Sequence, residues 1–185
     1  MNSEWKEKRL EDLCLVITDG SHRSPKSTTS GMPMASVKDL TRHGINYESA
    51  RKISTYEFDE LRRSGCCPQQ GDVLIAKDGN SALETVCVHE DAREVCLLSS
   101  VAIFRTTEEL DPFYLKYFLE SPNTKHLLKS GYVSGSAIPR VVLKDFKILP
   151  VLLPNQAEQV KISSILSTLD EKIEHNYKTN EILEG

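Results

Sequence analysis

The chain has 185 residues, 39% of them hydrophobic and 27% charged. That composition fits one ordinary globular domain with an appendage, and it excludes a disordered or collagen-like chain. A net charge of −4 speaks at first against a nucleic-acid partner, since DNA binders usually carry basic surfaces.

The charge is unevenly spread. Residues 155 to 185 hold six acidic and three basic side chains, which leaves only −1 for residues 1 to 154. Met1 to Leu10 is polar with no apolar core, so no secretory signal is expected. No window approaches the roughly 18 apolar residues of a membrane helix. The five cysteines, an odd count with Cys66 and Cys67 adjacent, are expected to be reduced thiols in a cytoplasmic protein.

Leu13 to Thr18 is a β-branched run ending at Asp19-Gly20, which predicts a strand entering a turn. Ser21 to Pro33 cannot bury a core and predicts a long polar loop, after which Met34 to Val37 resumes strand character. Ser54 and Glu57 have capping-box spacing, and Gly65 supplies a stop, so a helix of about ten residues lies between them. Val73 to Ala76, Val86 to His89, Val95 to Leu98 and Val101 to Arg105 are four strand candidates, enough for a sheet. Asp111-Pro112 and Ser121-Pro122 each place a cap before a proline, so two short helices follow, the second ending near Gly131. A Gly/Ser segment, Gly131 to Ala137, leads into a last strand within Val141 to Leu153.

From Asn155, which pairs with Glu158 in another capping-box spacing, no Pro or Gly interrupts the chain up to Glu184. Ile162, Leu166, Leu169, Ile173, Asn176, Asn180 and Leu183 step by four and three alternately, the signature of a coiled-coil seam. Ile165 and Ile182 widen the stripe, which also suits a helix packed on a core. The seam asparagines favour the coiled coil, because buried polar residues there fix register. A helix of that length spans about 43 Å.

The chain carries little catalytic chemistry. Its histidines and cysteines show no zinc-ligand spacing, and no phosphate loop, dinucleotide fingerprint or nucleophile elbow is present. No metal or cofactor is expected. Asp111-Pro112-Phe113-Tyr114 is similar to the D-P-P-Y motif of adenine-N6 methyltransferases, but Phe113 replaces the second proline and no glycine-rich cofactor loop precedes it. It reads better as a helix start. Three polar segments remain: the loop from Ser21, the turn Lys77-Asp78-Gly79-Asn80-Ser81, and Ser134 to Arg140. Each carries donors that suit phosphates or base edges, although solvated loops have the same composition.

The order of these features resembles one half of the specificity subunit of type I restriction-modification systems. Trp5 with Arg9-Leu10-Glu11-Asp12-Leu13 is similar to the family's opening. Thr18 to Pro25, Ser30-Gly31-Met32-Pro33 and Ser36-Val37-Lys38-Asp39-Leu40 are similar to its first recognition block, and Gly71-Asp72-Val73-Leu74 to a recurrent strand start. Leu149 to Gln159, continued by Ile162, Leu166, Asp170 and Ile173, is similar to the proline-flanked strand and E-Q pair that open each conserved spacer helix.

The resemblance implies an α/β architecture of the α+β type: a mixed-sheet target-recognition domain over residues 1–154, followed by a coiled-coil spacer helix over 155–185. It implies a non-catalytic protein that reads double-stranded DNA, while methyltransferase subunits methylate adenine and an endonuclease subunit cleaves. By loop composition and family position, the expected DNA contacts are His22, Arg23, Lys26, Lys77, Asn80, Ser136 and Arg140. The family's subunit has two recognition domains with paired helices, whereas this chain has one of each. The expected partner for its seam is therefore a second copy or another specificity half, since most homo-oligomers close with two-fold symmetry. The competing expectation is a coiled-coil interaction scaffold that does not read DNA.

Overall fold

Val-Leu-Ile-Ala at 73–76 is an uninterrupted apolar run, the pattern of a strand covered on both faces. The computed structural model, which describes residues 5–129 and 140–184, shows what covers it. In chain order the elements are β1 (Lys6–Arg9), β2 (Cys14–Asp19), β3 (Met32–Ala35), β4 (Leu40–Thr41), β5 (Gly44–Ile45), β6 (Arg51–Ile53), α1 (Thr55–Arg63), β7 (Val73–Ala76), β8 (Val86–Val88), β9 (Cys96–Leu97), β10 (Val101–Thr106), α2 (Pro112–Glu120), α3 (Pro122–Leu127), α4 (Leu143–Lys147), β11 (Pro150–Leu153) and α5 (Gln156–Glu184).

The central sheet has the order β2-β10-β7-β8 and is antiparallel throughout. Because side chains alternate across a strand, Val73 and Ile75 of β7 face one core with Phe104, Leu115, Leu119 and Phe146. Leu74 and Ala76 face a second core with Ala35, Leu97 and Ile103. A smaller sheet, β6-β3-β9, separates that second core from a third formed with Phe58 and Leu61 of α1. The expected strands all form, but they do not share one sheet. Cys96–Leu97 leaves its neighbours and pairs in parallel with β3. Its two residues carry no pattern that could name a partner.

The helix starts follow their local chemistry. The Ser54 hydroxyl accepts from the Glu57 amide at 3.3 Å and donates to the Glu57 carboxylate at 3.1 Å, and Gly65 beyond the helix end adopts φ +79°. The Asp111 carboxylate accepts from the Tyr114 amide at 2.7 Å, and the Tyr114 hydroxyl donates to the Leu152 carbonyl at 2.6 Å. Tyr114 is therefore a buried core side chain, and its ring is not available to stack on a base. The expected end of α3 near Gly131 and the Gly/Ser segment lie outside the described residues.

Cys67 and Cys96 are joined by a disulfide, while Cys14, Cys66 and Cys87 are free thiols. This corrects the expectation of five reduced thiols. Positions 29 residues apart show no pairing signal in sequence; in the fold the Leu97 amide donates to the Cys66 carbonyl at 2.9 Å and lays the two segments side by side.

At the root of α5, Gln159 accepts from the Asp111 amide at 2.8 Å and donates to the Glu109 and Pro154 carbonyls at 2.9 and 3.0 Å. Ile162 packs against the first core, and Leu166 is half-buried. Farther along, Leu169 and Ile173 are each 52% exposed and Leu183 78%, with Asn176 and Asn180 also in solvent. No helix among the described residues is long and apolar enough to cross a membrane.

Candidate nucleic-acid interface

Gly20 ends β2 where the backbone of the smaller sheet presses against it. A Cβ here would stand 2.2 Å from the Leu97 carbonyl oxygen, so only glycine allows the approach. The contact seats the next residue: the Ser21 amide donates to the Leu97 carbonyl at 2.7 Å, and the Ser99 amide donates to the Ser21 carbonyl at 2.9 Å. The polar loop then turns outward through the Ser21 hydroxyl, which accepts from the Arg23 amide and donates to the Arg23 carbonyl. Arg51 of β6 braces it from below, donating to the Pro25 carbonyl at 2.6 Å and the Ser24 hydroxyl at 2.9 Å. At the far end Gly31 has φ +138°, and a Cβ there would meet the Ile53 carbonyl oxygen at 2.1 Å.

The second polar segment follows β7. Lys77 is only 2% exposed, and its ammonium lies 3.3 Å from both Asp19 Oδ2 and Asp78 Oδ2. A buried ammonium is stable only when paired. Asp19 also reaches His22 Nε2 at 3.3 Å, and Asp78 Oδ1 lies 3.3 Å from Arg140 Nε. The Val141 amide donates to the Lys77 carbonyl at 3.0 Å, beside a backbone bridge between Asp78 and Arg140. One polar chain, His22–Asp19–Lys77–Asp78–Arg140, thus ties the ends of β2 and β7 to the strand bridge at Arg140. The turn after Asp78 returns through Leu83, a buried non-glycine residue at φ +68° whose amide donates to the Ala76 carbonyl at 2.7 Å. Left-handed leucine is costly and persists only where the surroundings hold it.

The expected contact residues therefore divide. His22, Arg23, Lys26, Asn80 and Arg140 are exposed, whereas Lys77 lies beneath the surface and cannot offer its charge to a ligand without leaving both carboxylates. Ser136 lies outside the described residues. Sequence reading treated Asp19 and Asp78 as turn formers and passed over Arg51. Their roles depend on segments far apart in the chain, and no local spacing announces them. Tyr56, 74% exposed, was also missed; with Arg23, Ser24, Pro25, Glu57 and Glu60 it lines a groove of about 350 Å³ beside the polar loop.

Among the described residues no three His, Cys, Asp or Glu side chains converge as a metal-ligand set. Burial lowers the pKa of His89 below its ordinary value, against the opposing pull of Asp91 and Asp72. His89 sits at the end of β8, away from the three segments. Asp72 is buried and accepts two hydrogen bonds from Arg105 at 2.9 and 2.8 Å, which accounts structurally for the Gly71-Asp72 pattern.

The fold is thus a mixed α/β domain, in which Lys77 links Asp19 to Asp78 and Arg140, carrying a long terminal helix. Solved structures share that architecture. The HsdS subunit from Thermoanaerobacter tengcongensis superposes with a TM-score of 0.64 at 20% identity, over 95% of this chain and 39% of that one. The type I restriction-modification S subunit from M. genitalium gives 0.62 at 18%, over 95% and 41%. A chain from a structure describing complex assembly and conformational transition of the type I R-M system gives 0.69 at 19%, over 95% and 40%. The putative type I restriction enzyme MjaX specificity subunit of Methanocaldococcus jannaschii is 23% identical over 97% of this chain and 43% of its own length.

Residues 2–184 match the type I restriction modification DNA specificity domain, and the chain belongs to that family. It corresponds to a single target-recognition half, spanning about two fifths of the relatives it matches.

Proposed function

We propose that this chain is a non-catalytic DNA-recognition subunit that reads one half of a split duplex site. Partner methyltransferase and endonuclease subunits supply adenine methylation and cleavage. The observation that carries the reading is buried Lys77 between Asp19 and Asp78, which joins the ends of β2 and β7 and, through Asp78, meets Arg140, with Arg23, Lys26, Asn80 and Arg140 exposed around it. Arginine suits guanine and asparagine suits adenine, while lysine holds phosphate. Residues 1–154 form the recognition domain and 155–185 the spacer, on which Leu169, Ile173, Asn176, Asn180 and Leu183 pair with a second copy or another specificity half. The exposed apolar residues along that face support this pairing, and Ile162 and Leu166, turned partly toward the domain, begin the seam. A homodimer presents two identical reading surfaces to an interrupted palindrome.

The test is duplex binding as a function of salt. Binding to random DNA at about 50 mM salt that falls steeply by 200 mM reports phosphate contacts. Arg23→Ala or Arg140→Ala then separates roles: a base contact loses about 1 to 3 kcal/mol of discrimination, and a phosphate contact weakens every sequence alike. One observation favours the scaffold reading, namely that Asp19 and Asp78 neutralise Lys77 and withdraw its charge from the surface. Absence of salt-dependent DNA binding by a dimeric chain would select it. Sedimentation as a monomer at tens of micromolar would remove the homodimer.

A further inference from the structure

The domain holds α5 at two levels. The first is the root, through Gln159 and Ile162. The second lies about 16 Å along the helix by its rise per residue, and it is ionic. Asp170, with a side chain 13% exposed, receives Arg42 at 3.0 Å and Lys116 at 3.3 Å. The Tyr117 hydroxyl lies 3.0 Å from Asp170 Oδ2 and 3.1 Å from Ser167 Oγ. Arg42 also reaches Glu120 at 3.2 Å, and the next residue, His43, reaches Glu174 at 2.9 Å. Burial raises the Glu120 carboxyl above its ordinary range, with Arg42 and Lys116 opposing. The elements enclose a gap of only about 80 Å³.

These partners come from two separate parts of the domain. Lys116, Tyr117 and Glu120 belong to α2, while Arg42 and His43 form the turn between β4 and β5. That hairpin is anchored through buried Leu40 to the second core, the same core that contains Leu97, on whose carbonyl the reading loop is seated. Past Glu174, no hydrogen bond or ion pair among the described residues ties α5 to the domain. A rod fixed at one point pivots; fixed at two, it has a direction.

We infer that the Arg42–His43 turn is a positioning clamp on Asp170 and Glu174 that sets the direction in which α5 leaves the recognition domain, and hence the separation of the two reading surfaces in the dimer. The inference rests on the dimeric, DNA-reading proposal above. From the root at Ile162, about which a released helix pivots, to Glu184 the helix runs about 33 Å, so a swing of about 6° moves its end by about 3.5 Å. That is one base-pair rise of about 3.4 Å. An error of a few degrees at the clamp is therefore the scale on which half-site spacing is chosen.

The experiment uses the full chain with Arg42→Ala, Arg42→Lys and Asp170→Asn. A half-site selected from random duplex is presented twice, with the intervening length varied one base pair at a time. The wild type should prefer one spacing at least tenfold over spacings two base pairs away. Arg42→Ala and Asp170→Asn should flatten that preference to within threefold or shift its maximum, with single half-site affinity unchanged, and Arg42→Lys should restore part of it. A uniform loss at all spacings with the preference intact would overturn the clamp and leave a merely structural ion pair.

Electron-spin distance measurement between labels at exposed Thr55 and Tyr177, with labelled chain diluted into unlabelled, tests the clamp without DNA. Arg42→Ala should broaden the distance distribution by more than 5 Å, and an unchanged distribution refutes the inference even if no DNA site is ever selected. Conversely, a broadened distribution in a protein that binds no DNA would sustain the clamp and sink the recognition reading. Asp170→Asn serves where Arg42→Ala fails to fold.

Discussion

Lys77→Met removes the ammonium that joins the polar segments after β2 and β7 while nearly keeping its volume. At 3.3 Å and an effective dielectric of 20, each carboxylate contact has a gross Coulomb energy of about 5 kcal/mol. Desolvating the charges takes back most of that, whereas breaking a buried pair by removing one partner typically costs about 3 to 5 kcal/mol. Here the orphaned carboxylates keep His22 and Arg140 as second partners, so the expected loss lies near the lower end, about 3 kcal/mol. For a chain of this size that corresponds to a melting temperature lower by about 6 to 12 °C. Asp19→Asn alone should cost about 2 kcal/mol, because Asp78 still faces the ammonium. The double variant should then recover at least about 1 kcal/mol relative to the sum, the coupling expected of groups in contact. Urea unfolding of the four proteins measures the cycle. Strict additivity within 0.3 kcal/mol, or a Lys77→Met protein as stable as wild type, would refute the argument that this buried charge knits the segments together.

Three further outcomes follow from the packing and the titrating groups. Gly20→Ala pushes a methyl against the Leu97 carbonyl and should cost about 3 kcal/mol in urea unfolding; a change below 0.5 kcal/mol would mean the loop root is not the close approach described. Reducing Cys67–Cys96 releases a closed loop with a sequence separation of 29, worth about 3 to 4 kcal/mol by chain entropy, and thiol alkylation of the unfolded oxidised protein should count three reactive sulfurs rather than five. Because burial favours neutral His89, the unfolded chain binds the proton more readily. His89 therefore lends stability above the unfolded value near 6.5, and that stability is lost as pH falls below it. His89→Gln should flatten unfolding free energy between pH 7.5 and 5, and an unchanged slope would contradict the assignment.

What could be read in advance was local. Ser54 and Glu57, Asp111-Pro112 and Ser121-Pro122 declare helix starts within three residues, and Val73 to Ala76 declares a strand buried on both faces. The terminal helix was equally plain because no Pro or Gly interrupts it from Asn155 to Glu184. What escaped was whatever depended on a distant partner. Lys77 looks like any turn lysine until β2 brings Asp19 beside it, and Arg42 looks like a surface arginine until α5 lays Asp170 against it. Cys96 leaves its neighbouring strands for β3 through a parallel register that two residues cannot encode. The family resemblance supplied the order of the parts, while the contacts that lock them together emerged only from the fold.

Gly20 and Gly31 each press to within about 2 Å of a carbonyl at the position a Cβ would take, and they bracket the polar loop like the two ends of a socket. Between them, Ser21 is buried at the root, residues 22–24 and 26–30 are exposed, and Pro25 is buried within the loop, held at its carbonyl by Arg51. The interval is therefore a cassette with fixed terminals and one internal peg. Foreign loops of matching length, grafted between the glycines with Pro25 retained, should alter which bases are read and leave the scaffold's stability untouched.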